Sequence, residues 1–391
     1  MLILGTGESE EWIASTFPAI DQILAADWDL CVGTDEPLLI HRHLLALEES
    51  GIAAVGNGFE PAHVVLRDAA GAIVAAAPAY LKNHSRGELG VDLGLSLAHT
   101  RSVGSYYPKL QVEVPMTPFS GSRLLVRPGV DRNMAVQALI RALQVVAVSR
   151  GASSVQITHL EGEEDCGMLA QAGYAIAETN SYVWRAGVDT SFEGMLHRMK
   201  SSARSEIKRH RRRLEPLNLK FRHYRGSDLS EHLASLFFER YRANFDHHNT
   251  PMWLNFEYFI QVFRTMPDCV ELSVSFFEGS WVGAVMTVVT ECKGYTLYWG
   301  QTANINYLHF EQVIYRGIER ALVIGLQKLD FGPTGAHKAE RGLGIEPVRH
   351  ALWFRDPAFE QIAAMACARK VQAAKAERAT ESARLPFLAS A

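Results

Sequence analysis

Cysteine is scarce in this chain, and no two cysteines lie at a short, regular spacing. Five thiols are scattered through 391 residues without a Cys-x-x-Cys motif. An odd, dispersed set predicts reduced thiols and a cytoplasmic protein, and it argues against a disulfide framework. The fifteen histidines lack an HExxH pattern. We therefore expect no metal site.

Long apolar runs and a strong charge of one sign are also absent. No uncharged apolar segment reaches the length of a membrane span, and the N-terminus lacks the basic region of a signal peptide. The formal net charge of −4 gives no global attraction to nucleic acid or to an anionic membrane. A site for a polyanion must therefore be local.

What is present is a pattern that occurs twice. Residues 133–148 have the apolar spacing of a helix and precede the strand-like run 154–158, and residues 310–324 precede 328–331 in the same way. In both copies a glycine closes the helix, and hairpin-like strands come before it. Strands mixed with helices in each half predict an α/β fold of two similar domains.

The domain boundaries follow from this repeat. We expect a first domain over residues 1–176 and a second over 177–358. The Ala-rich, charged segment 359–391 is expected to form a C-terminal helix and tail.

A glycine-rich stretch at residues 332–347 carries the most informative cluster of side chains. His337, Lys338 and Arg341 lie among four glycines, directly after the strand-like run of the second repeat. Glycine permits close approach of the backbone to a ligand, and Lys and Arg supply positive charge for a phosphate or an oxyanion. The pattern indicates an anion site, and a solvated surface turn is the alternative.

A second basic feature opens the second domain. Residues 191–214 follow a helix-capping signature, and eight Lys or Arg with a single acid lie between residues 198 and 213. Helical spacing aligns four of them in one stripe, namely Lys200, Arg204, Lys208 and Arg211. Such a stripe suits phosphate groups, whereas a solvated helix face is the alternative interpretation.

These features together resemble the FemABX-like superfamily, and within it the branch described as "peptidogalycan biosynthesis/recognition". The resemblance extends over about residues 36–359 and rests on several motifs in order. They are Tyr106-Tyr-Pro-Lys-Leu110, Pro115-Met-Thr-Pro-Phe-Ser-Gly-Ser-Arg-Leu-Leu125, Met199-Lys-Ser-Ser-Ala-Arg204, Tyr298-Trp-Gly300, Leu308-His-Phe-Glu311 and His337-Lys-Ala-Glu-Arg-Gly-Leu-Gly344.

The resemblance implies two tandem GNAT-like domains and transfer of an aminoacyl group from aminoacyl-tRNA to an amine. By motif, Lys338 matches the family lysine that contacts phosphate and the reacting carbonyl, with His337 in place of a phenylalanine. Lys200 and Arg204 match basic residues that hold the phosphorylated substrate. Other members often carry a long two-helix arm here, and this chain has room for one basic helix.

The acyl donor is constrained by what precedes each helix of the repeat. Acyl-CoA enzymes of the GNAT fold bind pyrophosphate with a Gln/Arg-x-x-Gly-x-Gly/Ala loop. Residues 300–309 and 127–132 lack that glycine spacing. This favours aminoacyl-tRNA, with tRNA as a partner and no bound cofactor, and leaves acyl-CoA as the alternative donor.

Amide formation needs a neutral amine and stabilisation of an oxyanion. Lys338 is the first candidate for stabilising the oxyanion or a phosphate, and a surface salt bridge is its alternative role. Arg341 could assist, and a structural ion pair with Glu340 or Glu346 is its alternative role. His337 or His309 could accept the proton of the attacking amine, and a structural histidine is the alternative for both.

The remaining candidates lie in or near the motif segments. Glu311 and Asp92 could bind the amine or act as a base, or they could be ordinary capping or ion-pairing residues. The candidates for walls and contacts of a substrate pocket are Tyr106, Tyr107, Lys109, Tyr298 and Trp299, although strand aromatics often belong to a core.

The sequence thus predicts a cytoplasmic FemABX-like N-acyltransferase that acylates a small or precursor-borne amine. A CoA-dependent N-acyltransferase is the alternative enzyme. A recognition module for a phosphorylated or peptidoglycan-like ligand is the alternative without catalysis.

Overall fold

The structure of the protein, a computed structural model, describes residues 2–5, 11–88 and 92–387. The end of the predicted tail, residues 388–391, lies outside these ranges. The strands are β1 (Leu2–Gly5), β2 (Glu11–Phe17), β3 (Phe59–Pro61), β4 (His63–Arg67), β5 (Ile73–Ala77), β6 (Ala79–Lys82), β7 (Lys109–Val112), β8 (Leu125–Val126), β9 (Ser154–Leu160), β10 (Ala175–Arg185), β11 (Lys220–Arg225), β12 (Val270–Phe277), β13 (Ser280–Val289), β14 (Lys293–Gln301), β15 (Lys328–Asp330) and β16 (Gly344–Phe354).

The helices are α1 (Ala25–Val32), α2 (His41–Glu49), α3 (Leu93–Ser102), α4 (Arg132–Ser149), α5 (Glu163–Gln171), α6 (Phe192–Arg198), α7 (Ser201–Leu214), α8 (Glu231–His248), α9 (Phe256–Thr265), α10 (Arg316–Ile324) and α11 (Pro357–Ala383). A π-helical segment, Phe310–Tyr315, leads directly into α10. No helix within the described ranges has the length and apolar character needed to cross a membrane.

Contacts divide the chain into two compact units, each discontinuous in sequence. Unit 1 comprises Met1–Thr179 and Pro347–Lys375, and unit 2 comprises Asn180–Glu346 and Ala376–Ala391. The predicted boundaries at residues 176 and 358 treat each domain as one continuous segment, whereas each unit also includes a later segment from the C-terminal part of the chain.

Unit 1 contains two sets of paired strands. An antiparallel sheet has the order β1-β2-β4-β5-β8, and a second set has the order β3-β6-β7-β9-β16, in which β7 and β9 are parallel. Helix α4 begins where the Asp131 carboxylate accepts a hydrogen bond from the Met134 amide, as its capping position requires. Its apolar face, including Leu139 and Leu143, joins the buried core with Val155 of β9.

The alternation along β7 and β9 gives this second set two different faces. Leu110 and Val112 of β7 join the apolar core, as do Val155 and Ile157 of β9. The intervening residues are polar and also buried; they are Lys109, Gln111, Gln156 and Thr158. Because successive side chains of a strand point to opposite sides, the sequence places a row of polar groups on one face.

Unit 2 is built on the strand order β11-β12-β13-β14-β15-β10. The strands pair antiparallel except β14 and β15, which are parallel and joined through the π-helical segment and α10. Helix α8 lies so close to β14 that a Cβ on Gly300 would come within 2.3 Å of the Arg240 carbonyl carbon. Only glycine fits this close approach of two backbones.

The predicted single helix over residues 191–214 is wrong, because the structure has two helices. Met199 is extended between α6 and α7, and it forms a β-bridge with Phe387 while the Lys200 amide donates to the Pro386 carbonyl. The C-terminal tail thus supplies backbone partners that interrupt the helix. The predicted helix 310–324 likewise begins with the π-helical segment and becomes α-helical at Arg316.

Candidate functional site

Two backbone irregularities flank His309 in unit 2. Tyr307 has a φ of 71°, which is unusual for a bulky residue, and the π-helical segment begins at Phe310. Strained backbone and π-helical turns persist only where the surrounding structure maintains them, and they are concentrated at functional sites. The segment that connects β14 to α10 is therefore a candidate for chemistry.

The structure brings His309 together with the glycine-rich segment. The His309 ring lies 5.5 Å from the Trp299 ring and 6.3 Å from the His337 ring, centroid to centroid. Phe310 packs between the two segments, with its ring 5.2 Å from that of His337 and 3.8 Å from the Arg341 guanidinium carbon. Five of the predicted residues thus form one cluster together with Phe310, which we call the His309 cluster: Trp299, His309, His337, Lys338 and Arg341.

Both histidines of the His309 cluster are held neutral near pH 7. Burial lowers the pKa of His309 to about 4, with smaller contributions from the neighbouring His337, Lys338 and Arg341. Burial and the neighbouring Arg341 and Lys338 also lower the pKa of His337. The Nε2 atom of His337 is buried and has no hydrogen-bond partner among the described residues. A neutral imidazole is the form that can accept a proton.

Lys338 lies on a 3₁₀ turn, Ala336–Arg341, with its side chain turned inward. Its Nζ donates hydrogen bonds to the carbonyl oxygens of Phe331 and Gly332, at the end of β15. Burial lowers its pKa to about 8, and Asp330 opposes that shift. A lysine ammonium has three donors, so one remains beyond these two bonds.

The glycines around Lys338 have a structural role. Gly335 and Gly342 bracket the 3₁₀ turn with φ values of 105° and 90°, which other residues rarely adopt. A Cβ on Gly342 would lie 2.7 Å from the Met199 methyl and 3.1 Å from the Phe387 ring. Gly342 therefore permits close packing inside unit 2.

The predicted basic stripe is divided among different partners. Arg204 donates to the carbonyl oxygens of His197 and Met199, both at 3.3 Å. Lys208 is exposed and lies 3.5 Å from Glu193, and Lys200 is exposed at the N-cap of α7. Arg211 has the most partners of the four, because it forms ion pairs with both Glu311 and Glu319.

Glu311 is buried between two arginines. Its Oε2 accepts from Arg211 Nε at 3.0 Å, and its Oε1 lies 3.0 Å from Arg316 Nε. Arg211 also donates to Glu319 at 2.8 Å. Burial raises the pKa of Glu311, against the opposing effect of Arg211 and Arg316. Glu311 points to these arginines, and it shares no hydrogen bond in the structure with the His309 cluster.

Tyr298 and its neighbour Trp299 pack against different residues. Its ring contacts the rings of Tyr241, Tyr258 and Phe259 at centroid distances of 5.8, 6.3 and 5.9 Å. The structure thus places Tyr298 in an aromatic core, the alternative that the sequence left open.

The other predicted residues belong to unit 1, where they form a buried polar network. Lys109 donates to Asp92 at 2.6 Å, to Glu88 at 2.7 Å and to Gln156 at 3.2 Å. The Tyr106 hydroxyl donates to Asp92 at 3.3 Å. The Tyr107 hydroxyl lies 2.7 Å from Ser85, which also bonds Asp92.

The sequence interpretation missed several members of this network. Lys82 lies directly opposite Lys109 in the antiparallel pair β6–β7, and both side chains are fully buried. Burial lowers the pKa of Lys82 to about 8 and raises the pKa of Glu113 to about 8. The alternating run from Lys109 to Glu113 was the available signal, because every second residue in it is polar and these residues share one face of the strand.

Comparison with known proteins identifies the family. A family model described as FemAB-like, "Peptidogalycan biosysnthesis/recognition", matches residues 19–389. The chain belongs to the FemAB-like family. No curated protein sequence matches it.

Solved structures of similar fold agree with this assignment. The C-terminal DUF2156 domain of a putative lysylphosphatidylglycerol synthetase from Agrobacterium fabrum has a TM-score of 0.54 at 11% identity, covering 91% of this chain and 97% of that one. FemX has a TM-score of 0.52 at 12% identity, covering 81% and 93%. A conserved protein of unknown function from Bacteroides thetaiotaomicron has a TM-score of 0.53 at 8% identity, covering 87% and 99%.

At these identities the likeness is one of fold. The family match confirms the predicted FemABX resemblance, and the likeness in fold confirms the predicted fold class, an α/β fold of two tandem GNAT-like domains. The roles of individual residues in the FemAB-like chain remain predictions.

Proposed function

We propose that this FemAB-like protein is an N-acyltransferase that moves an aminoacyl group from aminoacyl-tRNA to an amine. The observation that carries the proposal is the His309 cluster, in which a neutral imidazole lies beside two cationic side chains. Family membership and the FemX-like fold support a transferase role related to peptidoglycan.

The chemistry requires few groups. The acceptor nitrogen attacks the ester carbonyl carbon, and the carbonyl oxygen takes up the negative charge. Lys338 or Arg341 stabilises this oxyanion. Such stabilisation is usually the largest single electrostatic contribution to the catalysis of acyl transfer. His309 accepts the proton from the nitrogen and returns it to the ribose oxygen as the C–O bond breaks, leaving an amide.

The surface of α7 supports a polyanionic donor. Lys200, Lys208, Arg209, Arg212 and Arg213 are exposed, although the chain as a whole is slightly acidic. Local cationic density of this kind attracts a phosphate backbone with a strong dependence on salt. Acyl-CoA remains a different donor that the same experiment distinguishes.

The test uses the full chain with a pool of radiolabelled aminoacyl-tRNA and a panel of amines that includes lysine-containing peptides. We expect label in an alkali-stable amide, abolished by RNase treatment of the donor. Transfer that survives RNase, or thiol release from acyl-CoA instead, would refute the tRNA donor. Ligand binding without any product would refute catalysis.

Two substitutions assign the residues. His309→Gln is expected to lower kcat/KM by about 100-fold, within the range for general base catalysis, and the exposed His232→Gln is the matched control. Lys338→Met is expected to cost about 100- to 1,000-fold in kcat, as loss of an oxyanion donor does. Unchanged rates in either variant would show that the residue is structural.

The pH profile gives an independent readout. With a weakly basic acceptor, the rate should fall as pH drops toward 4, where His309 becomes protonated, and fall again above about 8, where Lys338 loses its proton. In Lys338→Met the alkaline decline should disappear. Its persistence would assign that titration to another group.

A further inference from the structure

Unit 2 contains a cavity beside Glu311 and Arg316. It has a volume of about 330 Å³ and is lined by Arg211, Leu214, Glu215, Asn218, Leu219, Phe221, Glu311 and Arg316. This volume lies within the range of ligand pockets and corresponds to about ten water molecules. The walls come from the end of α7, the turn that follows it, β11, the π-helical segment and the start of α10.

Arg316 presents its guanidinium to this cavity. The guanidinium carbon lies 3.7 Å from the centre of the Phe221 ring, which fixes its plane by stacking. Its Nε faces Glu311 at 3.0 Å, whereas its two terminal nitrogens make no hydrogen bond with any residue that the structure describes. A fixed fork with two open nitrogens matches a carboxylate or phosphate in a bidentate arrangement.

The carboxylate of Glu311 does not compete for that fork. One of its oxygens is occupied by Arg211 Nε and the other faces Arg316 Nε. Arg211 in turn has a second acceptor in Glu319, at 2.8 Å. The two arginines therefore keep N–H donors for a ligand inside the cavity, beside the side chains of Asn218 and Glu215 at its lining.

The remaining walls are mostly apolar. Leu214, Leu219 and Phe221 supply hydrocarbon surface beside the guanidinium, and Glu215 is an exposed carboxylate at the lining. Apolar walls with a few converging donors are the usual composition of a small-molecule site. The arrangement suits an anionic head attached to a compact apolar body.

We propose that this cavity binds a small organic anion, a carboxylate or a phosphate monoester, with its head on Arg316 and its apolar body against Leu214, Leu219 and Phe221. The inference deepens the proposed function, because Arg211 and Glu311 are among its candidate residues. It rests on that function only for its biological meaning, since binding requires no transfer.

Isothermal titration calorimetry of the full chain tests the proposal with isovalerate, benzoate and phenyl phosphate. Benzamide and isovaleramide serve as neutral matches of the same shape. We expect saturable binding of the anions and none of the amides. A preference for phenyl phosphate or for the carboxylates identifies the head group. Equal binding of acid and amide, or no binding of any anion, would overturn the proposal.

Variants locate the site. Arg316→Gln should weaken anion binding by about 10- to 100-fold, as expected for lost charge-assisted hydrogen bonds, and Arg316→Lys should recover only part of it. Glu215→Gln should strengthen binding several-fold at low salt, because a negative charge is removed. The exposed Arg222→Gln on β11, whose guanidinium stacks on Phe276, is the matched control.

The outcomes separate this inference from the proposed function. Unchanged affinity in a folded Arg316→Gln protein would overturn the cavity assignment, whatever the transferase assay shows. Conversely, Arg316-dependent anion binding in a protein without transferase activity would support the anion site in the cavity and refute the proposed transferase function.

Discussion

Replacing Lys109 with methionine should destabilise unit 1 strongly. The Lys109 side chain is fully buried, and its Nζ lies 2.6 Å from Asp92 and 2.7 Å from Glu88. Methionine has a similar length but no charge, so the two carboxylates lose their shared cation. Breaking a buried ion pair by removing one partner costs about 3–5 kcal/mol, because a charge remains buried without compensation.

The folded variant can avoid the unpaired charge by protonating one carboxyl group. The free energy of that protonation is therefore the upper limit of the destabilisation, and it depends on pH. Protonating one carboxyl group of ordinary pKa, near 4, costs about 4 kcal/mol at pH 7 and about 1.4 kcal/mol at pH 5. In the wild type, Lys109 overcomes the effect of burial and lowers the pKa of Asp92. The stabilisation from Asp92 is therefore present above its unfolded pKa and is retained between pH 5 and 7. The difference between variant and wild type should shrink from about 4 to about 1–2 kcal/mol over this interval.

Urea unfolding at pH 7 and pH 5 measures this difference, with hydrogen exchange of peptides from β7 and β9 as the local readout. Lys375→Met, an exposed position on α11 within unit 1, is the control and should change stability by less than about 0.5 kcal/mol. A loss below about 1 kcal/mol at pH 7, or one that does not vary with pH, would refute the assignment of Lys109 as the cation of this network.

Three further changes test unit 2. Burial raises the pKa of Glu271, but His223 and Arg320 outweigh this effect and lower the pKa from 4.5 to about 2. Glu271→Gln should therefore cost about 3 kcal/mol of stability at pH 7. The cost should decrease as pH falls from 4.5 toward 2, and chemical unfolding measures it. Gly300→Ala should cost more than about 2 kcal/mol by the same measurement, since its Cβ would overlap the α8 backbone, and a wild-type value would contradict the close approach. Phe387→Ala should increase proteolysis of the tail and of the α6–α7 junction together; cleavage of the tail alone would show that the bridge to Met199 does not hold the junction.

Much of the fold follows from local patterns in the sequence. The helix expected at 133–148 is α4, Arg132–Ser149, and the strand expected at 154–158 is β9, Ser154–Leu160. These elements have strong apolar periodicity and a glycine or a capping aspartate at their ends. Short-range physics determines them, so the sequence suffices.

The breaks in the predicted helices depend on distant partners. Met199 sits in a window with good helical periodicity, yet it pairs with Phe387, nearly two hundred residues later. The π-helical segment before Arg316 leaves the apolar pattern of residues 310–324 unchanged. The local pattern therefore carries no information about either feature, and a tertiary contact determines the first of them.

The candidate site shows the same division. The motif residues His309, His337 and Arg341 were identifiable by type, and the structure shows which of them share a cluster. Glu88 and Lys82 were missed because isolated charges in a sequence look like surface residues. Only the register of β6 with β7 reveals that Lys82 faces Lys109 in the interior.

Two buried lysines show why one is a better candidate for chemistry than the other. Burial alone would lower the pKa of Lys109, but Glu88 and Asp92 more than offset it, and the pKa is raised. Lys338 has backbone carbonyls as its hydrogen-bond acceptors and one opposing acid, Asp330, so burial prevails and its pKa is lowered to about 8. A lysine locked between two carboxylates holds its charge at every physiological pH and stabilises structure. A lysine whose charge is only weakly compensated has electrostatic capacity left for a developing oxyanion, and this difference makes Lys338 the stronger candidate for catalysis.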